Sequence, residues 1–339
     1  MAHPTGDRGF NTIHNSSVAR RDRNKTLQKY TLFGVISLAA LTVFLLIVLA
    51  VGAIIGNISG KPNKGPDKEK VNWGSITVTA SDTQKGDLVL VNNTHAYTFP
   101  ATSEHLSEIY ATWYAHKPDS NNERPYVLSG LSKYMDTDAL NAMDRMLQDF
   151  YNATGLTDVQ VRYAYRTYEE QKQFSVEPGY SDHHTGLGVE LKYRRNENTY
   201  SFITDPTYSW FFENGHKYGF VVRYPADKTD KTGVDDYEDY FRYVGIPHAT
   251  YMKEHNLCME EYIETLKSYT DNDPLKIDAA DGKHYEVWYV AVDGSATVKH
   301  PTNYRYEVSG TNEGGVVVTV DRSQALRPED STSGETVGS

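Results

Sequence analysis

A long, charge-free apolar run near the start of the chain constrains the fold more than any other feature. Residues 30–60 contain no Asp, Glu, Lys or Arg, and most of residues 32–58 are apolar. About 20 apolar residues in a helix are enough to cross the hydrocarbon core of a bilayer. The run is also longer than the apolar region of a secretory signal peptide. We therefore predict one transmembrane helix over residues 30–58; the alternative is a buried core helix.

Basic residues on the N-terminal side of this run predict its orientation. Residues 1–29 are polar, with five Lys or Arg side chains between positions 20 and 29. Lys and Arg are enriched on the cytoplasmic side of membrane spans, and long domains cross the membrane largely regardless of nearby charge. We therefore expect a single-pass protein of the cell membrane. It has a basic cytoplasmic tail, one N-terminal helix in the bilayer and an extracytoplasmic C-terminal domain.

Composition excludes some partners. The 339 residues carry a formal net charge of -11 at pH 7, whereas nucleic-acid surfaces need clustered Lys and Arg. We therefore expect no nucleic-acid partner. The single cysteine, Cys258, cannot form an internal disulfide. Its helical context beside Met259 and Ile263 predicts a buried structural thiol.

Periodicity after the apolar run predicts an α+β domain. Residues 140–151 repeat apolar side chains at helical spacing, and Gly155 supplies a stop signal. Residues 248–266 follow the same helical pattern. Residues 159–163 and 220–224 are short, mostly β-branched or aromatic runs that are typical of strands.

Shifts in composition predict the domain boundaries. Residues 59–75 are rich in Gly, Pro and Lys and predict a tether. Residues 76–270 form the predicted main domain, with an early strand signal at 87–92. Residues 271–322 contain several β-branched runs and predict a C-terminal β extension. Residues 323–339 are rich in Ser, Glu and Gly and predict a disordered tail.

The residues that carry most chemical information surround a glycine-rich turn. Ser181 and His183 precede the turn, Gly186 and Gly188 allow close backbone approach, and Glu190 follows on a predicted strand. A histidine on a turn and a carboxylate on the next strand make a plausible metal-binding pair. On spacing alone, the alternative is a polar surface loop, which is the usual setting of a His-His pair such as His183-His184.

This stretch resembles the S-x-H-x-x-G-x-A-x-D signature of VanY-like zinc D-alanyl-D-alanine carboxypeptidases, which are related to the hedgehog and lysostaphin folds. Gly188 stands at the alanine position and Glu190 at the aspartate position. Three further segments resemble the family in the same order: AYRTYEEQ at 164–171, YGF…RYP…K…TG at 218–233, and RYVG…HA…EEY at 242–262. The resemblance implies a D-Ala-D-Ala carboxypeptidase-like domain with a central antiparallel sheet.

The same resemblance implies a zinc site with His183 and Glu190 as ligands. The family segment E-x-W-H-x-R-Y-V-G supplies the third ligand and the general base, but here Tyr240 replaces that histidine and Tyr237 replaces that glutamate. A phenol, with a reference pKa near 10, is a poor metal ligand and cannot act as a carboxylate base. Zinc is possible as a cofactor by resemblance, but these altered positions argue against ordinary zinc hydrolysis.

Other roles also follow from the resemblance. Arg166 would polarise the scissile carbonyl or stabilise the oxyanion, and Ser181 and Gln171 would hold the peptide; the alternative for Arg166 is a structural ion pair. Glu238, next to the base position, is a possible substitute base if a local bulge brings it into the site, as is His184 for a ligand. The alternative for Glu238 is a solvated acidic loop.

Three functional hypotheses follow. The first is a catalytically impaired carboxypeptidase-like protein, a pseudoenzyme, that binds peptidoglycan stem peptides. The second is an active, atypical zinc D-Ala-D-Ala carboxypeptidase. The third is a non-catalytic ectodomain that binds partners in the envelope. The stem peptide and a bacterial cell wall are implied by the resemblance alone.

Overall fold

The computed structural model describes residues 70–118, 122–235 and 237–326. The predicted membrane helix and the basic tail lie outside these ranges, as do most of the predicted tether and most of the C-terminal tail. Within the described ranges, no helix combines the length and apolar character that crossing a bilayer requires.

Helices and strands are interspersed up to residue 266, and strands dominate from there on. The strands are β1 (Trp73–Thr79), β2 (Leu106–Glu108), β3 (Val127–Leu128), β4 (Tyr134–Asp136), β5 (Val159–Tyr163), β6 (Gly188–Arg195), β7 (Asn198–Tyr200), β8 (Phe220–Val222), β9 (Tyr240–Tyr243), β10 (Leu275–Asp278), β11 (His284–Ala291), β12 (Ser295–Pro301), β13 (Tyr306–Gly310) and β14 (Gly315–Asp321). The α-helices are α1 (Ile109–Ala115), α2 (Thr137–Thr154), α3 (Tyr168–Gln171), α4 (Ser209–Asn214), α5 (Thr229–Thr232), α6 (Ile246–Glu254) and α7 (Met259–Leu266). Short 3-10 helices lie at Ala80–Gln84, Asp182–Thr185, Phe202–Thr204, Pro206–Tyr208, Gly215–Tyr218 and Ala226–Lys228.

The central sheet has the order β3-β5-β6-β9-β8, and β7 forms a hairpin with β6. Strands β5, β6, β9 and β8 pair antiparallel, and β3 adds a parallel edge. Alternating side chains of β5 and β6 therefore point to opposite faces. One face packs on α2, and the other carries the candidate site. This mixed α/β arrangement agrees with the predicted fold class.

Helix α2 packs against one face of the sheet. The helical spacing of its apolar residues and its glycine stop are both present, as predicted. Its buried face includes Leu140, Met143, Leu147 and Phe150. The helix ends at Gly155, which adopts a left-handed conformation (φ 71°) that costs glycine little. These apolar side chains join β5, β6 and aromatic side chains of α4 in one core cluster.

The predicted helix over residues 248–266 is two helices, so that prediction was wrong in its extent. Helix α6 ends at Glu254, Asn256 adopts a positive φ of 50°, and α7 begins at Met259. The Cys258 N–H donates to Glu261 Oε2 (3.1 Å), which caps the start of α7. Cys258 is buried and unpaired, as predicted.

The C-terminal strands form an antiparallel sheet in the order β10-β11-β14-β13. Strand β1 pairs along its whole length with β12, so the first described strand pairs with a strand more than 200 residues later in the sequence. Residues 87–92 are an irregular buried segment, which corrects their prediction as a strand. Their N–H groups bond elsewhere: Leu88 donates to Ser309 Oγ (2.8 Å) and Leu90 to Thr311 O (3.1 Å).

Candidate active site

The site is built on the turn that precedes β6 and on the facing strand β9. His183 lies in the 3-10 helix Asp182–Thr185, which ends at Gly186 in a left-handed conformation (φ 74°). Two residues later, Gly188 begins β6 opposite Arg242 of β9. A Cβ atom at position 188 would overlap the hydroxyl of Tyr240, so this glycine leaves the space that the phenol fills.

Glu190 lies at the centre of the site and its charge is already compensated. Its carboxylate is almost fully buried on β6, opposite Tyr240 of β9. Tyr237 Oη donates a hydrogen bond to Glu190 Oε2. Arg162 Nε and Lys192 Nζ lie 3.6 Å and 3.7 Å from Glu190 Oε1. Both carboxylate oxygens therefore have partners within the protein.

Tyr240 is also engaged by the protein rather than directed into open space. Its Oη donates to Asp182 Oδ2 (3.1 Å). Asp182 is buried between two arginines: Arg242 Nη1 bonds directly to Oδ1, and Arg223 Nε lies 3.6 Å from the same atom. The ring of Tyr240 contacts the imidazole of His183, with centroids 4.5 Å apart.

Tyr224, Tyr237 and Tyr240 form a stack of nearly parallel rings. Neighbouring centroids are 5.6–6.1 Å apart, with interplanar angles of 10–20°. Burial and the adjacent Glu190 carboxylate raise the pKa of Tyr237 well above its usual value. Burial and Asp182 act in the same direction on the pKa of Tyr240. Both phenols are therefore neutral proton donors at neutral pH.

His183 has a buried acceptor atom that no described residue uses. Its Nδ1 lies 2.6 Å from the Ala164 carbonyl oxygen. A carbonyl can only accept, so Nδ1 carries the proton and Nε2 carries a lone pair. Burial lowers the pKa of His183 well below its usual value, which keeps the ring neutral. Nε2 is buried and has no hydrogen-bond partner among the described residues.

Arg166 has a buried donor atom that no described residue uses. Its Nη1 donates to Gln171 Oε1 (3.2 Å), and its guanidinium lies 3.6 Å from the ring centroid of Phe174. Gln171 is held in turn by its bond to Val176 O (3.0 Å). The Arg166 Nε atom is buried without a hydrogen-bond partner within the described chain. The structure thus brings Arg166 and Gln171 together at the site.

The remaining predicted site residues are Ser181, His184 and Glu238. Ser181 is buried next to the turn, where its carbonyl accepts from His184 N–H (3.0 Å). His184 is not a free ligand, because Nδ1 bonds to Arg166 O and Nε2 accepts from Gly179 N–H. The half-buried Glu238 makes no side-chain hydrogen bond or ion pair with any described residue.

The residues present do not fit a catalytic zinc ion. Such an ion takes three protein ligands, usually His, Cys, Asp or Glu, and keeps a position for water. Across residues 70–118, 122–235 and 237–326, no group of three such side chains is arranged to hold a metal. The site offers one imidazole, one carboxylate with both oxygens engaged, and two phenols whose raised pKa values oppose ionisation.

Sequence reasoning missed the charged groups that hold the site together. Asp182 lies inside the signature, but nothing in the sequence indicates that it pairs with Arg223 and Arg242, 41 and 60 positions away. Lys192, two residues after Glu190, shares the same face of β6 and also pairs with Asp239 (3.2 Å). Its position at i+2 on a strand is the signal that could have identified it.

Comparisons with known proteins support one family. The VanY family model, described as D-alanyl-D-alanine carboxypeptidase, matches residues 169–246. A D-alanyl-D-alanine carboxypeptidase of Enterococcus faecium is 31% identical over 257 residues, which cover 74% of this chain and 80% of that protein. A protein of the same name from Enterococcus faecalis is 37% identical over 117 residues, covering 34% of this chain and 40% of that protein.

A solved structure supports the fold. The vancomycin resistance D,D-dipeptidase VanXYg, determined in complex with a D-Ala-D-Ala phosphinate analog, superposes with a TM-score of 0.63. It is 24% identical, and the match covers 74% of this chain and 100% of that one. Together with the extent of the match to the Enterococcus faecium protein, these similarities mean that the chain belongs to the VanY family of D-alanyl-D-alanine carboxypeptidases.

Proposed function

We propose that this protein binds peptidoglycan stem peptides that end in D-Ala-D-Ala and hydrolyses them weakly or not at all. The observation that carries this proposal is the pair of phenol hydrogen bonds in the site. Tyr237 donates to Glu190 and Tyr240 donates to Asp182. Two neutral hydroxyl groups thus occupy the positions at which family members have a base and a metal ligand.

Peptide binding is supported by the unsatisfied donor and acceptor. A buried polar atom without a partner costs about 1–3 kcal/mol. Arg166 Nε–H can donate to a peptide carbonyl, and His183 Nε2 can accept from a peptide N–H. A peptide backbone carries both functions, and a bound stem peptide that reaches these buried atoms would supply a partner for each of them without a metal.

Impaired hydrolysis is supported by the hydrogen bonds and ion pairs that the polar groups of the site already make. Attack by water needs a base that can take its proton. Tyr237 is already a proton donor with a raised pKa, and Glu190 is bonded to it and ion-paired with Arg162 and Lys192. Asp239 is not free to replace the missing base, since it accepts from Phe202 N–H (2.9 Å) and pairs with Lys192.

The test uses the full-length protein in detergent micelles. Binding of a pentapeptide ending in D-Ala-D-Ala is measured by calorimetry in the presence of a chelator, with the L-Ala-L-Ala peptide as the control ligand. D-alanine release is then measured with added zinc. We expect chelator-resistant binding that is selective for the D-Ala-D-Ala end, and no release. Arg166→Ala should weaken binding, whereas Arg145→Ala, an exposed arginine on α2, should not.

An active, atypical zinc carboxypeptidase is the second candidate, because the His183 Nε2 lone pair has no hydrogen-bond partner among the described residues. Stoichiometric zinc in the purified protein, together with D-alanine release, would favour this candidate over the first. His183→Ala should then abolish both the metal content and the release. Loss of neither would exclude this alternative.

We also propose that residues 30–58 anchor the protein, with the N-terminus in the cytoplasm and the C-terminal domain outside. The charge-free apolar run and the basic residues before it support this orientation. Protease added to intact cells should digest the C-terminal domain and leave an N-terminal fragment in the membrane. Complete protection of the C-terminal domain would contradict the proposed orientation.

A further inference from the structure

A pocket lies near the candidate active site and is lined by other residues. It is a pocket of about 240 Å³ whose walls include the rings of Tyr97, Phe99 and Tyr165. Thr102, Ser103 and His105 add polar groups. None of these residues belongs to the peptide-binding machinery described above, so the pocket can hold a different chemical group.

The aromatic wall of the pocket is partly exposed to solvent. Phe99 is 37% exposed and packs edge-on against Tyr97 (5.0 Å between centroids) and Tyr168 (6.1 Å). The two neighbouring rings fix the orientation of Phe99, so its open face is preorganised. When a ligand covers an apolar ring face, that face is removed from water, which lowers the free energy of the complex.

The polar groups of the pocket are unused. The hydroxyls of Tyr97, Tyr165, Thr102 and Ser103 make no hydrogen bond within the part of the chain that the structure describes. Each hydroxyl can both donate and accept. The pocket therefore offers several neutral hydrogen-bonding groups beside an aromatic face.

We propose that this pocket binds a single neutral sugar ring. A charged ligand is disfavoured because no Lys, Arg, Asp or Glu lines the pocket. A sugar ring matches the wall on both counts: its C–H face packs on an aromatic ring, and its hydroxyls exchange hydrogen bonds with protein hydroxyls. The volume is below the ~300–1,000 Å³ of drug-sized ligand sites, so one ring fits and a chain does not.

The pocket lies near the candidate active site. The ring of Phe99 lies 4.8 Å from that of His184, the residue after His183. Tyr165, in the pocket wall, immediately precedes Arg166. The inference rests on the proposed function for the identity of the sugar: a stem peptide in the active site is attached to an amino sugar, and the pocket receives that ring.

The test compares a stem pentapeptide with the same peptide joined by an amide bond to N-acetylmuramic acid. Calorimetry on the full-length protein gives the two dissociation constants. We expect the sugar to tighten binding by about tenfold, the size of one good aromatic contact. Phe99→Ala should remove this gain and leave the affinity for the bare peptide unchanged. Tyr200→Ala, at 40% exposure a matched aromatic residue on β7, should retain the gain.

A separate titration with free N-acetylglucosamine, followed by saturation-transfer NMR, distinguishes the two ways in which the experiment can fail. If the bare peptide does not bind but the sugar gives a Phe99-dependent signal, the proposed function fails and the sugar site stands. If the peptide binds but the sugar adds nothing, or Phe99→Ala weakens both ligands equally, the sugar site is overturned. Absence of binding by both ligands overturns it as well.

Discussion

At the scale of single residues, Tyr240 can occupy the site only because position 188 lacks a side chain. A Cβ atom there would overlap both Oη and Cζ of Tyr240. The family signature has alanine at this position and histidine in place of Tyr240, and an imidazole is shorter than a phenol. The two departures from the signature are therefore physically linked: the glycine compensates for the longer ring.

We predict that Gly188→Ala lowers the free energy of unfolding by about 1–3 kcal/mol, the usual cost of overpacking a buried site. In the Tyr240→His background the same substitution should cost much less, because the overlapping hydroxyl is gone. Urea unfolding of the two single variants and the double variant measures this coupling. Gly215→Ala is the control, since its Cβ would meet no atom closer than 3.4 Å. Equal costs in the two backgrounds would contradict the link.

A second prediction at this scale concerns the metal. Tyr237→Glu and Tyr240→His, combined with Gly188→Ala and Glu190→Asp, restore the family's ligand and base types around His183. We expect this combined variant to bind about one equivalent of zinc, because the ion then has three conventional ligands. Metal analysis after dialysis measures the gain. Tyr224→His changes the third ring of the stack and should bring no zinc; equal zinc in the unaltered protein would contradict the argument.

At the scale of secondary-structure elements, helix α2 positions the sheet and depends on its N-terminal cap. Asp136 Oδ1 accepts from the N–H groups of Asp138 (2.9 Å) and Ala139 (3.2 Å). Burial raises the pKa of Asp136, so the charged cap is held at some desolvation cost. We expect the acceptor oxygen to matter more than the charge for capping the helix.

We therefore predict that Asp136→Ala destabilises the protein by about 1 kcal/mol, the typical value of a lost N-cap. Asp136→Asn retains the acceptor and removes the buried charge, so it should be as stable as the unaltered protein. Chemical unfolding at pH 7 measures both variants. If the asparagine variant were as unstable as the alanine variant, the charge would be the feature that matters.

Local signals in the sequence predicted α2 and its glycine stop because both arise from neighbouring residues. They did not predict the break between α6 and α7, since residues 248–266 keep a helical pattern through Asn256. The site shows the same division. The sequence motif identifies His183 and Glu190. The pairing of Asp182 with Arg242, in contrast, depends on the register between β6 and β9.

At the scale of the whole described domain, early and late segments of the described chain are joined. Strand β1 pairs with β12, and the turn around Asn312 bonds back to the buried early segment, through Asn312 Nδ2 to Leu90 O (3.0 Å). His248 adds a buried link between helices and sheet: its Nδ1 bonds to Tyr262 Oη of α7 (2.7 Å) and its Nε2 to Thr319 Oγ1 of β14 (3.0 Å). Sequence spacing alone predicts none of these long-range contacts.

The buried link makes stability depend on pH. Burial lowers the pKa of His248 to about 3, whereas an unfolded histidine titrates near 6.5. Above pH 6.5 both states are neutral and His248 adds no pH dependence. As the pH falls from 6.5 towards 3, only the unfolded state takes up the proton, so the free energy of unfolding falls by about 1.4 kcal/mol per unit, on the order of 4 kcal/mol in total.

His248→Gln can bond to both Tyr262 and Thr319 but cannot titrate. We expect it to be less stable than the unaltered protein at pH 7.5 and to approach it as the pH falls to 4.5, as measured by urea unfolding. A stability difference that stays constant over this range would mean that His248 is not held neutral by burial.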